Sequence, residues 1–271
     1  MPIIRSYAKL NLFLRVIGKQ GGYHLLQSLM QTIDLHDEIS FEESKDFHFS
    51  ANNPLLSNDN LIVKAFVTLQ NDFSQIPDQK ITLIKNIPVA AGLGGGSSNA
   101  AATLNYLNQK YTLGLSTQKL KDYAATLGSD VPFFIEGGTQ LAEGRGELLT
   151  VLPKLPKKYF LLVNPNKPCP TGAVFKNVSD FTDMKNYEEL GKNINSFSNF
   201  LANDLTLPAM KVVPEIKIII DHLRSAKGCE YAGLSGSGAT CFAIFSNKQD
   251  CQNAYNAWDE PTHLTWICES I

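Results

Sequence analysis

Apolar and other residues alternate along residues 3–16. Ala8, Leu10, Leu12, Leu14 and Val16 fall on one side of an extended chain, and Tyr7, Lys9, Asn11, Phe13 and Arg15 on the other. A period of two predicts a strand whose aliphatic side faces a core. Lys9 and Asn11, two residues apart, then share the opposite side. Gly18-Lys19-Gln20-Gly21-Gly22 predicts a turn. Strand-like stretches are expected around residues 28–35 and 38–41. Leu61, Ala65 and Leu69 stand at helical spacing and predict a helix over 60–70, with a short strand over 80–85. Ala100, Ala101, Leu104 and Leu107 predict a helix over 97–108. Ser116 reads as the N-cap of a further helix that buries Leu120, Tyr123, Ala124 and Leu127 and stops at Gly128.

Residues 151–156 carry two prolines and one lysine with little pattern and read as a linker. The expected division is an N-terminal nucleotide- and phosphate-binding domain over 1–152 and a C-terminal substrate domain over 153–271. In the second half the pattern predicts strands at 159–163, 241–245 and 264–268, and helices at 214–223 and 248–258. Strands alternating with helices indicate an α+β class resembling a split βαβ unit. Residues 176–200 are polar and weakly patterned, and no element is predicted there.

Composition narrows the function classes. The chain has 271 residues, 44% hydrophobic and 18% charged, a globular balance. Lys and Arg number 24 against 26 Asp and Glu, a formal charge of −2, which argues against a dedicated nucleic-acid binder. An anionic ligand must therefore be held by a local site. No apolar run predicts a membrane helix, and Met1 to Ser6 lack the form of a signal peptide. The five cysteines are widely spaced without a C-x-x-C, so reduced thiols in a cytoplasmic setting are expected.

Three segments carry chemistry. In Pro88-Val89-Ala90-Ala91-Gly92-Leu93-Gly94-Gly95-Gly96-Ser97-Ser98, four glycines occupy five positions between a strand and a helix start. Such a loop brings backbone N–H groups close to a ligand, and the helix N-terminus favours an anion, a polyphosphate above all. A flexible turn would show the same glycines; the flanking elements and the two hydroxyls at the junction favour the anion site. No Gly-Lys-Ser/Thr closes the loop, so it is not a Walker A, and the dinucleotide pattern is not met. In the second segment, Asp130 follows the expected helix end and precedes apolar Val131-Pro132-Phe133-Phe134. A carboxylate there needs a cation or hydrogen bonds, and Lys9 is a candidate partner. Taken alone, Asp130 reads as a turn-former and Lys9 as a solvated charge. The third is the small-residue loop Ser235-Gly236-Ser237-Gly238-Ala239-Thr240, read as a helix–strand connection.

Together and in this order, Ser6-x-Ala8-Lys9-x-Asn11-Leu12, the Gly loop and Ser235–Thr240 resemble the GHMP kinase superfamily. Tyr23-His24, Asn60 to Ala65, Gly128-Ser129-Asp130-Val131-Pro132, Thr171-x-x-Val174-Phe175 and Asn203-Asp204-Leu205 resemble the branch that phosphorylates a cytidine-diphosphate-linked methylerythritol in the non-mevalonate isoprenoid route. The resemblance spans about residues 5–245. It implies a two-domain fold with the active site in the cleft between the domains, and ATP as co-substrate held by Pro88 to Ser98. It implies Asp130 as the base and Lys9 as its charge partner. It further implies that Asn11 orients these groups or the acceptor hydroxyl, that His24 reads the cytosine edge beside Tyr23, and that Phe175 stacks on the ring. Asn60 and Lys85 to Pro88 are expected near the adenine.

In the wider superfamily the loop runs G-L-G-S-S-A-A; here Gly95 and Gly96 stand at the first Ser-Ser position. The resemblance therefore assigns no protein ligand to the Mg²⁺ that ATP would carry. A monomer or weak homodimer acting on small molecules, without nucleic acid or membrane, is expected. Another acceptor (homoserine, mevalonate or a sugar) is the alternative within the superfamily. A non-catalytic binder would be signalled by loss of Lys9 or Asp130, and both are present.

Overall fold

The computed structural model describes residues 2–53, 56 and 60–271. It forms two compact units, each drawn from several stretches of chain. One gathers Met1–Ala8, Leu35–Val89 and Gly94–Gly137; the other gathers Lys9–Asp34, Ala90–Leu93 and Gly138–Ile271. The fold class is α+β, as the alternation of strands and helices predicts.

Strand β1 (Ile3–Gln20) and strand β2 (Tyr23–Glu43) contribute to both units. The expected turn is confined to Gly21 and Gly22, whose φ values of 57° and 86° lie in the left-handed region that favours glycine, while Gly18 to Gln20 still belong to β1. Two corrections follow. The stretches at 28–35 and 38–41 are one continuous strand. And β1 has no solvated face over its middle: Lys9, Asn11 and Phe13 are as buried as Leu10 and Leu12.

In the first unit, Glu38–Glu43 of β2 pairs antiparallel with β4 (Gln79–Ile84), and β3 (His48–Ala51) pairs parallel with β4. Helix α1 (Leu61–Asp72) is capped by Asn60, whose side chain accepts from the N–H groups of Ile62 and Val63. It packs on α2 (Gly95–Lys110), which begins two residues earlier than its apolar spacing predicts, inside the glycine run. Helix α3 (Thr117–Leu127) starts at Ser116, whose hydroxyl accepts from Lys119 N–H, and ends at Gly128, as expected. The short α4 (Phe133–Glu136) follows. Ile39, Phe41, Phe66, Leu69, Ile81, Leu104 and Leu107 make the core of this unit.

In the second unit, the earlier part of β2 pairs with β5 (Thr139–Gly144), which pairs with β6 (Leu148–Val151). The chain after Val151 is irregular, and buried Leu155 donates its N–H to Thr139 Oγ1 at 3.2 Å. A second sheet has the order β10-β7-β9-β8, all antiparallel: β7 (Tyr159–Asn164), β8 (Cys229–Leu234), β9 (Cys241–Phe245) and β10 (Leu264–Glu269). Helix α5 (Thr171–Phe175) lies in the first crossover. The stretch without predicted elements holds α6 (Glu188–Lys192) and a 3₁₀ turn at Ile194–Phe200. Helices α7 (Thr206–Val212), α8 (Glu215–Ser225) and α9 (Lys248–Asn256) complete the unit. Helix α8 buries Ile216, Ile219, Ile220 and Leu223 against β8 and β9. The loop 235–240 therefore joins two strands of a hairpin; the expected helix before it is strand β8.

Candidate active site

Lys9 sits mid-strand in β1 and is 4% exposed. A buried ammonium must find acceptors, and its Nζ donates to Asn11 Oδ1 at 2.5 Å. Asn11 Nδ2 in turn donates to Ser28 Oγ on β2 at 2.8 Å, and Ser28 Oγ donates to the Phe13 carbonyl at 2.6 Å. The backbone of this part of β1 is bound as well. Lys9 N–H donates to Leu93 O at 3.0 Å, and Asn11 N–H to Ser235 Oγ at 3.3 Å.

The front of the Gly loop, Ala90–Leu93, thus lies against β1 on one side and the hairpin loop 235–240 on the other. Ser235 Oγ donates to Gly92 O at 2.9 Å, and Thr240 N–H to Ala91 O at 3.3 Å. Gly92 has φ of 77°, and a Cβ there would lie 2.3 Å from the Ser235 carbonyl oxygen. The hairpin loop is itself anchored: Asn203 Nδ2 donates to Leu234 O and Gly236 O, both at 2.8 Å.

The back of the loop opens α2. Its N-cap is Gly94, at φ of 69°, which offers no side-chain acceptor, and the first turn carries no acidic residue. The leading amides of a 16-residue helix are therefore available to an anion. Two features set this turn in place. Lys85 Nζ pairs with Asp37 Oδ2 at 2.7 Å and also donates to Ile87 O, while Asp37 Oδ1 accepts from the N–H groups of Asn86 and Ile87 at 2.7 and 2.8 Å. A Cβ on Gly95 would fall 2.8 Å from Lys85 Nζ. Ser6 Oγ lies 2.6 Å from Asn99 Oδ1 and 2.9 Å from Ser98 Oγ, so Ser98 is buried and engaged while Ser97 and exposed Gly96 lie nearer the surface.

Asp130 stands in the half-buried turn between α3 and α4, with Val131 and Phe133 fully buried just after it. Lys9 belongs to the second unit and Asp130 to the first. Asn60, expected near the adenine, uses its side-chain oxygen as the cap of α1.

The aromatic residues gather in part. The rings of His24 and Phe175 lie 4.8 Å apart, tilted by 31°, and Phe181 stands edge-on to His24 at 6.3 Å. Tyr23 does not stack on them: it is 60% exposed, with the Arg145 guanidinium 5.0 Å from its ring. Burial, and secondarily the Lys19 charge, hold the His24 imidazole below its usual pKa. Thr171 Oγ1 shares a 2.9 Å hydrogen bond with Ser237 Oγ, which ties the start of α5 to the hairpin loop.

Sequence reasoning did not identify Ser28, Asp37, Asn203 or Arg15, which pairs with Asp204 at 3.1 Å. Only the Asn203-Asp204 dipeptide carried a signal. Among the described residues, no group of three or more His, Cys, Asp or Glu side chains gathers as a metal site. The cysteines are not joined in disulfides, and burial pushes the thiols of Cys169, Cys241 and Cys251 up, the last to about 12. Among the described residues no helix is long and apolar enough to cross a membrane.

Comparison with known proteins now bears on the site. The family model described as GHMP kinases N terminal domain matches residues 60–138, which contain the Gly loop and Asp130; that described as GHMP kinases C terminal matches residues 177–263, which contain the hairpin loop. The chain belongs to the GHMP kinases. As a member of this family it is a kinase, a phosphotransferase. A 4-diphosphocytidyl-2-C-methyl-D-erythritol kinase of Prochlorococcus marinus (strain AS9601) is 38% identical over 291 residues, covering 98% of this chain and 94% of the relative. The enzyme of that name from Clostridium perfringens (strain 13 / Type A) is 37% identical over 265 residues, covering 93% and 91%. A crystal structure of a 4-(cytidine 5'-diphospho)-2C-methyl-D-erythritol kinase superimposes with a TM-score of 0.85 at 29% identity, covering 99% of each chain.

Proposed function

We propose that this GHMP kinase transfers the γ-phosphoryl group of ATP to the 2-hydroxyl of 4-diphosphocytidyl-2-C-methyl-D-erythritol, in the cytoplasm, as a step of isoprenoid precursor synthesis. The observation that carries the reading is the end-to-end likeness to kinases named for that substrate.

Phosphoryl transfer asks the protein for positioning and for positive charge near the moving group. The leading amides of α2 and the loop from Pro88 to Ser98 hold the triphosphate. Asp130 accepts the proton of the acceptor hydroxyl as its oxygen attacks the γ-phosphorus and ADP leaves. Lys9 offsets charge on the phosphoryl oxygens and favours the ionised form of Asp130. Asn11 supports Lys9. Mg²⁺ travels with the triphosphate and neutralises part of its charge. At the other end, Phe175 supplies a flat apolar surface for the cytosine, and neutral His24, with Tyr23 beside it, supplies hydrogen bonds to the base edge.

An ADP-release assay across a panel of alcohols, with and without the cytidyl group, tests the reading. Turnover on the cytidyl-linked sugar alcohol alone supports it. Turnover on homoserine, mevalonate or a free sugar at comparable kcat/KM overturns it.

A further inference from the structure

The orientation of the Asn11 amide has a cause in a residue given no role so far. Oxygen and nitrogen of a carboxamide have nearly the same shape, so neighbours decide which way it faces. Here both neighbours speak. Lys9 Nζ, 2.5 Å away, carries only donors and requires the oxygen on its side. On the other side stands Ser28 Oγ, at 2.8 Å. A hydroxyl has one proton, and that of Ser28 goes to the Phe13 carbonyl at 2.6 Å, an atom that can only accept. Ser28 is left with lone pairs toward Asn11 and requires the amide nitrogen. Lys9, Asn11 and Ser28 are 4%, 4% and 3% exposed, so bulk water does not substitute for any of them.

We infer that Ser28 is a positioning residue for phosphoryl transfer: its hydroxyl, polarised by the Phe13 carbonyl, locks the Asn11 carboxamide with its oxygen toward Lys9 and thereby fixes the Lys9 ammonium. Donation runs one way from the ammonium through the amide and the hydroxyl to the backbone of β1. Without the hydroxyl, Asn11 Nδ2 loses its buried acceptor, and the carboxamide, no longer held from both sides, shifts toward another acceptor and draws its oxygen off the ammonium. Lys9 then leaves its place. The inference rests on the reading of Lys9 as the cation at the reacting group.

The test compares Ser28→Ala, Ser28→Thr, Asn11→Ala, the Ser28→Ala/Asn11→Ala double variant and Lys9→Met in steady-state assays, with thermal melts as the check on folding. Ser28→Ala is expected to lower kcat by about ten- to a hundredfold, the scale of a reacting group displaced by about 1 Å, while KM for ATP holds. Ser28→Thr, which keeps the hydroxyl, restores most of the rate. The double variant is expected to turn over no more slowly than Asn11→Ala, because the two residues act as one device. A Ser28→Ala enzyme with unchanged kcat, or losses that multiply fully in the double variant, overturns the inference. A Lys9→Met enzyme with unimpaired turnover would instead overturn the reading of Lys9 itself.

Discussion

Asp37 and Lys85 form a 2.7 Å ion pair whose side chains are 0% and 6% exposed. The carboxylate also accepts two backbone N–H groups from the segment that leads into the Gly loop, and the ammonium lies against the first turn of α2. Burial is the larger influence on Lys85 and pulls its pKa down, against the opposing effect of Asp37. Removing one partner of such a pair strands the other. Asp37→Ala is expected to cost about 3–5 kcal/mol of unfolding free energy, read from urea denaturation. The double variant Asp37→Leu/Lys85→Met is expected to lose less than Asp37→Ala, since it leaves no stranded charge.

Gly95→Ala places its methyl 2.8 Å from Lys85 Nζ and 2.9 Å from Ile87 Cγ2. Lys85 is pinned by Asp37, so the first turn of α2 has to move instead. The expected result is a loss of about 1–3 kcal/mol in stability and weaker ATP binding, measured by urea melts and by nucleotide titration. Unchanged values for both would mean that the ammonium yields freely.

Asp130→Asn is expected to fold and to bind nucleotide with near-normal affinity, because Asp130 lies outside the loop proposed to hold the phosphates. Its kcat should fall by about 10²–10⁴-fold, the usual worth of a positioned base. Normal turnover would remove Asp130 from the chemistry.

Phe175→Ala should raise KM for the cytidyl substrate by about ten- to a hundredfold, the equivalent of a lost base stack of about 1–3 kcal/mol, and leave KM for ATP alone. Equal weakening of both ligands would show that Phe175 acts through the fold, since it also packs on the core of its unit.

The depressed pKa of His24 gives a pH signature. Protonation is disfavoured in the folded chain, so the unfolded chain binds more protons in the window just below the ordinary imidazole pKa of 6.5. Stability from this group rises with pH through that window and is fully present above it. The neutral ring is the one proposed to read the base edge. KM for the cytidyl substrate should therefore hold steady through the pH range where an ordinary imidazole gains its proton and rise only at more acidic pH. In His24→Gln that acidic limb should vanish; its persistence would assign it to another group.

The legible and illegible parts of the chain divide along physical lines. Helices α1 and α3 could be read because their apolar residues recur at one spacing, and α3 also because Ser116 is a local cap. Strand β2 was split in the reading because His36 and Asp37 interrupt its apolar pattern. Asp37 is buried all the same, through Lys85 and two amides from residues about fifty positions away. The second face of β1 looked solvated because it carries Lys9 and Asn11; the partners of Asn11, Ser28 and Ser235, come from elsewhere in the chain. Strand β8 was missed because Glu230 and Gly233 blur its alternation. At the candidate site, the Gly loop was legible because its glycines are contiguous. Ser28 was not, because a serine on a strand carries no sign of which carbonyl takes its proton.

Gly92 deserves a different account from its neighbours in the loop. A side chain at this position would run into the carbonyl of Ser235, 143 residues further along the chain. Its bareness serves a seam between two stretches of the protein's own backbone before it serves any guest. A variant at Gly92 that fails to hold nucleotide would thus be reporting a parted seam, and the same failure should be reachable from the far side, by enlarging a residue of the 235–240 loop that never meets a phosphate.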